Sequence, residues 1–240
     1  MELLRSASLL ILTAMIGSGA ETEAQAQAQA QAQGQAEDRW DLSLALASDY
    51  RSKGASKTGG RAGGALGVER RLAADSYVGL SANSVRNSAG SDGQVNLSVG
   101  WRPRAFGLNW DIDSTHEIYP GSNTSGNDVV WQLSARASHE AGPLTTRMIL
   151  QHQPDGFGDT GRNTFLAVDG AWRWRSRLAV VGGLGRREQD NSVDYTAWNG
   201  GLVFDMSNRL ALEARYYATD QSDQGPNFED RLVAALEVSF

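Results

Sequence analysis

The sequence predicts an all-β protein, a transmembrane antiparallel up-and-down β-barrel of about 12 strands. Three observations carry this. Between Trp40 and Phe240, segments of roughly ten residues alternate apolar and polar side chains, and successive residues of a strand face opposite ways. The connections between segments alternate short and long. Aromatic residues gather at the segment ends.

The first segment, about 40–52, puts Trp40, Leu42, Leu44, Leu46 and Tyr50 on one face and Asp41, Ser43, Asp49 and Arg51 on the other. The second sets Leu66 and Val68 against Arg61, Glu69 and Arg71. The third sets Val78, Leu80 and Ala82 against Tyr77, Ser81 and Asn83. The fourth sets Val95, Leu97, Val99 and Trp101 against Gln94, Asn96, Ser98 and Arg102. The fifth, about 105–118, sets Phe106, Leu108, Trp110 and Ile112 against Asn109, Asp111, Asp113 and Glu117.

The alternation continues through the second half. Val129, Trp131 and Leu133 oppose Gln132, Arg136 and Glu140. Leu144, Met148 and Leu150 oppose Thr145, Arg147 and Gln151. Leu166, Val168, Trp172 and Trp174 oppose Asp169 and Arg173. The ninth and tenth segments carry Leu178, Val180, Leu184, Trp198, Leu202 and Phe204 outward. Leu210, Leu212, Ala214 and Tyr216 oppose Glu213, Arg215 and Tyr217. The last segment sets Leu232, Ala234, Leu236, Val238 and Phe240 against Arg231, Val233, Ala235, Glu237 and Ser239. Gly63, Gly64 and Gly67 thin the second segment, and glycines in the ninth and tenth leave about 10 or 14 strands open as well.

Short connections fall around Ala73-Ala74, Pro103-Arg104, Ala141-Gly142, Arg175-Ser176 and Met206-Ser207. Longer polar ones span 119–127 and 153–162, with 53–60 and 220–227 intermediate. Short periplasmic turns and longer outer loops are what such a barrel requires. Trp40, Trp101, Phe106, Trp172, Trp174, Phe204 and Phe240 fall at the short-turn ends. Tyr50, Trp131 and Tyr216 fall toward the long-loop ends, giving two interfacial belts.

Residues 1–20 have the build of an export signal: Arg5, a short apolar core over 7–16, and Ser18-Gly19-Ala20 as a small-x-small cleavage site. Ala24-Gln25-Ala26 is a second site, so cleavage as late as 26 fits too. Residues 21–39, rich in alternating Ala and Gln, read as a flexible lead-in. The barrel is expected over 40–240. The chain is 40% hydrophobic with no Cys, which excludes a disulfide scaffold and a Cys-based metal site. No apolar run after residue 20 is long enough for a spanning helix. The chain's net charge of −6 without basic clusters argues against nucleic acid as a partner.

The run Ser48-Asp49-Tyr50-Arg51-Ser52-Lys53-Gly54-Ala55-Ser56-Lys57-Thr58 resembles the opening strand and loop of the TorF-family putative porins. Tyr195-Thr196-Ala197-Trp198-Asn199-Gly200-Gly201 resembles a late-strand segment of that family, and 231–240 its last strand. The resemblance spans about 40–240. It implies an outer-membrane barrel and suggests a pore without a defined substrate. Lys53 and Lys57 stand where Arg and Gln are more usual, leaving cationic character expected at the outer mouth.

Candidate pore-lining residues follow from the polar faces: Asp111, Asp113, Glu117, Arg136, Arg147, Asp169, Arg173, Glu213, Arg215, Arg231 and Glu237. One reading is a facing acidic and basic array across a narrow eyelet that orients small polar or charged solutes. The other is a set of ion pairs that fill a closed barrel, or a non-conducting barrel whose outer loops 119–127 and 153–162 bind a partner. Twelve strands lie between the filled 8-stranded and the open 16- to 18-stranded barrels. No enzyme is expected: His116, His139 and His152 lack a serine partner in a recognisable motif. No cofactor or metal site is expected, although the 155–159 loop has oxygens of the kind that hold Ca²⁺. Expected partners are outer-membrane lipid, small solutes, and the barrel-assembly machinery through the strand ending in Phe240.

Overall fold

The computed structural model describes residues 40–87 and 89–240. The expected export signal and Ala/Gln lead-in lie outside the described residues. Twelve long strands make the wall: β1 Trp40–Ala47, β2 Gly63–Arg71, β3 Ser76–Ser84, β4 Gly93–Trp101, β5 Leu108–Ile118 and β6 Val129–Ala141. They continue as β7 Leu144–Gln153, β8 Asn163–Arg175, β9 Leu178–Gln189, β10 Tyr195–Asp205, β11 Leu210–Thr219 and β12 Arg231–Ser239. Every strand pairs antiparallel with the next, and β12 returns to β1 with Ser43 opposite Ser239 and Ala47 opposite Ala235. Closure leaves no long unpaired edge, as a sheet in hydrocarbon requires. Following cross-strand partners once round returns to β1 about 16 residues further along, a shear that tilts the strands by roughly 45°.

The period-two pattern decides which side chains meet lipid. Leu42, Leu80, Leu97, Val168, Leu184, Leu202 and Leu212 are exposed on the outer wall. Their neighbours Ser43, Ser81, Asn96, Ala167, Val203 and Glu213 are buried inside. Trp40, Trp101, Trp172, Trp174, Phe204 and Phe240 are exposed at the short-turn end, and Trp131 and Tyr216 at the other. The interior is two-sided. Ala171, Ala179, Val181, Val203 and Ala211 form an apolar patch on β8–β11. The β3, β4 and β6 faces are polar, with Ser81, Asn83, Gln94, Asn96, Ser98, Gln132 and Ser134 all buried.

Three expectations from the sequence need correction. β1 ends at Ala47, not near residue 52. Tyr50 is accordingly not an outer-belt residue: it is 3% exposed and packs inside against Tyr217 and Val233. The turn between β4 and β5 is not at Pro103-Arg104. Arg104–Ala105 pairs back on Leu108 and Asn109, and the chain reverses at Phe106-Gly107, both at positive φ (57° and 74°). Two successive positive φ angles match the twist of a two-residue hairpin. Phe106 therefore sits at the turn tip, 96% exposed.

Candidate pore and its inward hairpin

The connection from β1 to β2 does not rise over the mouth. It folds into the barrel as a small hairpin in which Arg51–Ser52 pairs with Ala55–Ser56. Asp49 and Arg51 are fully buried, and Ser52, Lys53, Ser56 and Thr58 nearly so. Asp49 is the hub. One carboxylate oxygen accepts from Ser56 Oγ at 2.5 Å and Thr58 Oγ1 at 3.0 Å; the other accepts from Arg51 Nε at 2.8 Å. Arg51 also donates to the carbonyls of Gly54 (3.2 Å) and Glu229 (2.6 Å). Burying these charges is tolerated because the Asp49 carboxylate, the Arg51 guanidinium and the Ser56 and Thr58 hydroxyls find partners.

The tip crosses to distant strands. Lys53 Nζ donates to Gln132 Oε1 on β6 at 3.0 Å, and Tyr195 OH on β10 donates to the Lys53 carbonyl at 2.9 Å. Ala55 packs with Tyr195 and Ala197, with Phe228 beside them. Gly54 lies against Ala197 with φ +83°, and a Cβ there would stand 2.2 Å from Ala197 Cβ. Only glycine supplies both that angle and that closeness. The receiving wall is itself linked: Gln153 Nε2 donates to Gln132, Asn163 Nδ2 to Gln153, and Arg187 to Asn163 and Gln189. The expected cationic mouth is thus corrected. Lys53 is 6% exposed inside the barrel, and Lys57 stays half-buried there, because the hairpin carrying them turns inward. Burial, with Arg187 nearby, pushes the Lys57 ammonium below its ordinary pKa against the pull of Glu117. Burial, reinforced by the Glu117 carboxylate, pushes the Tyr119 phenol well above its own.

All eleven candidate pore-lining residues sit at inward positions of their strands. Their ion pairs run between neighbours along the wall. Arg102, just after β4, grips Glu69 through two bonds of 2.7 and 2.6 Å and approaches Asp111 at 3.6 Å. Arg136 meets Asp113 at 2.7 Å and Asp111 at 3.8 Å. Tyr77 OH donates to Asp111 at 2.9 Å, and the Arg102 guanidinium lies 3.6 Å from the centre of its ring. Glu117 accepts from Tyr119 OH at 3.0 Å. Arg147 lies opposite Asp169 across β7 and β8. Arg173 pairs with Asp205 at 3.0 Å and Arg215 with Glu213 at 2.9 Å. Arg231, at the outer end, reaches Glu229, Asp49 and the Gly60 carbonyl. Glu237 is buried on β12.

Sequence reasoning put Asp49, Arg51, Glu69, Arg102 and Gln132 on the polar faces without counting them among the candidate pore-lining residues, and it put Lys53 at the outer mouth. The signal available was the Ser, Thr and Gly content of 48–60, small side chains that fit inside a wall. The histidines lie apart: His152 bonds Thr164 Oγ1 and His139 contacts the Gly107 carbonyl. Asp155 accepts from Asn127 Nδ2, which ties the two long outer loops together, with the Tyr119 and Phe157 rings tilted at 50° and their centres 4.4 Å apart.

A closed twelve-stranded wall, an apolar outer belt and a polar interior narrowed by a loop define a transmembrane barrel of porin-like build. The chain belongs to the Gcw_chp family, described as a bacterial protein of unknown function, whose family model matches residues 31–235. Its fold is similar to that of the KdgM porin, seen in complex with disordered oligogalacturonate. Identity is 7% over 84% of this chain and 98% of that one, with a TM-score of 0.55. The NanC porin is similar at 14% identity over 84% and 99%, TM-score 0.54. The COG4313 outer membrane channel from Pseudomonas putida F1 is similar at 11% identity over 87% and 97%, TM-score 0.57. At such identities the likeness is one of fold. Among curated proteins none matches by sequence.

Proposed function

We propose that the protein is a narrow outer-membrane channel for passive diffusion of small polar or charged solutes. The observation that carries this reading is the inward hairpin. It stands inside a barrel wider than a filled one needs, against a wall lined with Gln, Asn, Ser and paired charges. An inward loop sets a size limit, and two-signed walls suit small polar solutes. The likeness to the KdgM and NanC porins and the resemblance of 48–58 to TorF-type porins support it. In this reading residues 1–20 are removed on export, with 26 as the latest cleavage point, and the last strand with Phe240 is what the barrel-assembly machinery takes up.

A second reading has its own observation. Glu69, Arg102, Asp111, Arg136 and Asp113 form one continuous buried network, which suits a filled, non-conducting barrel whose joined outer loops present a surface. Planar-bilayer recording of the purified, folded protein separates the two. Discrete small conductance steps are expected. Silence from folded protein would establish the filled barrel.

A further inference from the structure

The interior is not equally sealed all round. At mid-depth Ser81, Ser98, Thr115 and Ser134, on β3 to β6, are buried. Further round the wall a row of inward positions is half-exposed: Ser138 on β6, Arg147 on β7, Asp169 on β8, Gly183 on β9 and Asn199 on β10. Each is the direct cross-strand partner of the next. Because the strands tilt, the row climbs the inner wall from the short-turn end toward the outer mouth. Gly183 is where it converges. A Cβ there would collide with Asp169 Oδ1 and stand 3.1 Å from Asn199 Nδ2, so glycine lets both side chains reach one point. Asp169 has no hydrogen bond among the described residues, and Arg147 and Arg215 are the charges that act on it. Asn199 is oriented by Arg215, which donates to its Oδ1 at 3.1 Å. A guanidinium has only donors, so this contact turns the amide nitrogen the other way, toward Gly183.

We propose that this row is the water-filled path through the barrel, and that Asp169 and Asn199 over Gly183 form its contact point for uncharged, hydroxylated solutes of the sugar or polyol class. The choice follows from the groups. The Asp169 carboxylate accepts and the Asn199 nitrogen donates. A hydroxyl does both and bridges the two at once. An ammonium has nothing to accept with, and a carboxylate nothing to donate. Each such bridge replaces a hydrogen bond that the solute gives up to water on entering a narrow lumen. The solute contact rests on the channel reading above; the water-reached strip does not.

The chain has no Cys, so single cysteines report their own surroundings. S138C and N199C are compared with S81C and S134C, all folded in detergent, by reaction with a charged, water-soluble thiol reagent. T145C, half-exposed on the same wall, stands in if N199C does not fold. A buried thiol is protected and a solvated one is not, so the row positions are expected to react faster by about tenfold. Equal rates at all positions, or faster reaction of S81C and S134C, would overturn the path. Liposome swelling then reads the contact, with arabinose and glycine betaine as solutes; betaine has no hydrogen to donate to Asp169. D169A is expected to lower the ratio of arabinose to betaine entry several-fold, and D169N, which keeps an acceptor oxygen, to lower it less. An unchanged ratio in D169A would overturn the contact. A wild type whose row is labelled but which admits neither solute would keep the water-filled strip and reject the channel reading, and the solute contact with it.

Discussion

Lys53 Nζ and Gln132 Oε1 meet at 3.0 Å, joining the tip of the first connection to the inner face of β6 across the barrel. Along the sheet, β2 to β5 lie between β1 and β6 on one side and β7 to β12 on the other, so only an inward fold brings the two residues together. The same Gln132 oxygen also accepts from Gln153 at 3.3 Å. The hairpin is thus bound into a chain of side chains on the receiving wall, and its position is a fixed property of the fold.

Gly54→Ala tests the fit of the tip. The added Cβ meets Ala197 and the residue must hold a φ of +83°. A destabilisation of about 1–3 kcal/mol is expected, with the hairpin displaced. Thermal unfolding measures the first, and protease cleavage within 51–56 the second.

Asp49→Ala removes the hub. It leaves the fully buried Arg51 without its carboxylate and takes the acceptor from the Ser56 hydroxyl, while Thr58 keeps the Arg61 carbonyl at 2.5 Å. Stranding a buried charge costs about 3–5 kcal/mol. Asp49→Asn keeps an acceptor oxygen and should lose less. Melting of the two variants in detergent checks the order.

Leu212 and Arg215 lie on one strand and face opposite ways. Leu212 is 42% exposed on the outer wall, and Leu212→Arg is expected to cost about 2–4 kcal/mol near the midplane and to slow liposome insertion. Arg215→Ala acts for another reason: it removes the guanidinium that holds both oxygens of the buried Glu213 at 2.9 Å. Adding Glu213→Ala should restore part of that loss and none of the Leu212→Arg loss, which a double-mutant cycle reads directly.

Lys57 gives the pH prediction. Its folded pKa lies below the unfolded value of 10.5 because burial disfavours the ammonium, with Arg187 adding to this and Glu117 opposing it. The unfolded chain therefore holds the proton to higher pH. The penalty is complete below the folded pKa and relieved as pH rises toward the unfolded one, so stability rises with pH across that window. Lys57→Met should be more stable than wild type near neutral pH and show a smaller alkaline rise in denaturant titrations.

The wall was legible because lipid enforces its rule at every second residue. A polar side chain at Leu97 or Leu184 would sit in hydrocarbon, so the period-two pattern marks inside and outside together. Where that constraint ends, the pattern misleads. Tyr50 continues the spacing of Leu42, Leu44 and Leu46, yet the strand stops at Ala47 and the chain turns inward. Phe106 likewise keeps the parity of Leu108 and Trp110 while standing in a turn. Pro103 suggested the reversal, but its carbonyl accepts from Trp110 N at 2.9 Å inside the hairpin. The lumen charges were legible as inward residues. Their pairing was not, because register decides whether Arg136 meets Asp113 or a charge across the lumen, and register is a property of the closed sheet.

Ala47 and Gly63 are already cross-strand partners, so residues 48–62 can be replaced by Asn-Gly, which closes two-residue hairpins. Planar-bilayer conductance of this variant beside the wild type, with folding of both verified by heat-modifiable mobility in gels, tests whether the hairpin is the constriction of a channel. The account predicts a small wild-type conductance that rises several-fold in the variant. Equal conductance from the two folded proteins, or silence from both, would contradict it.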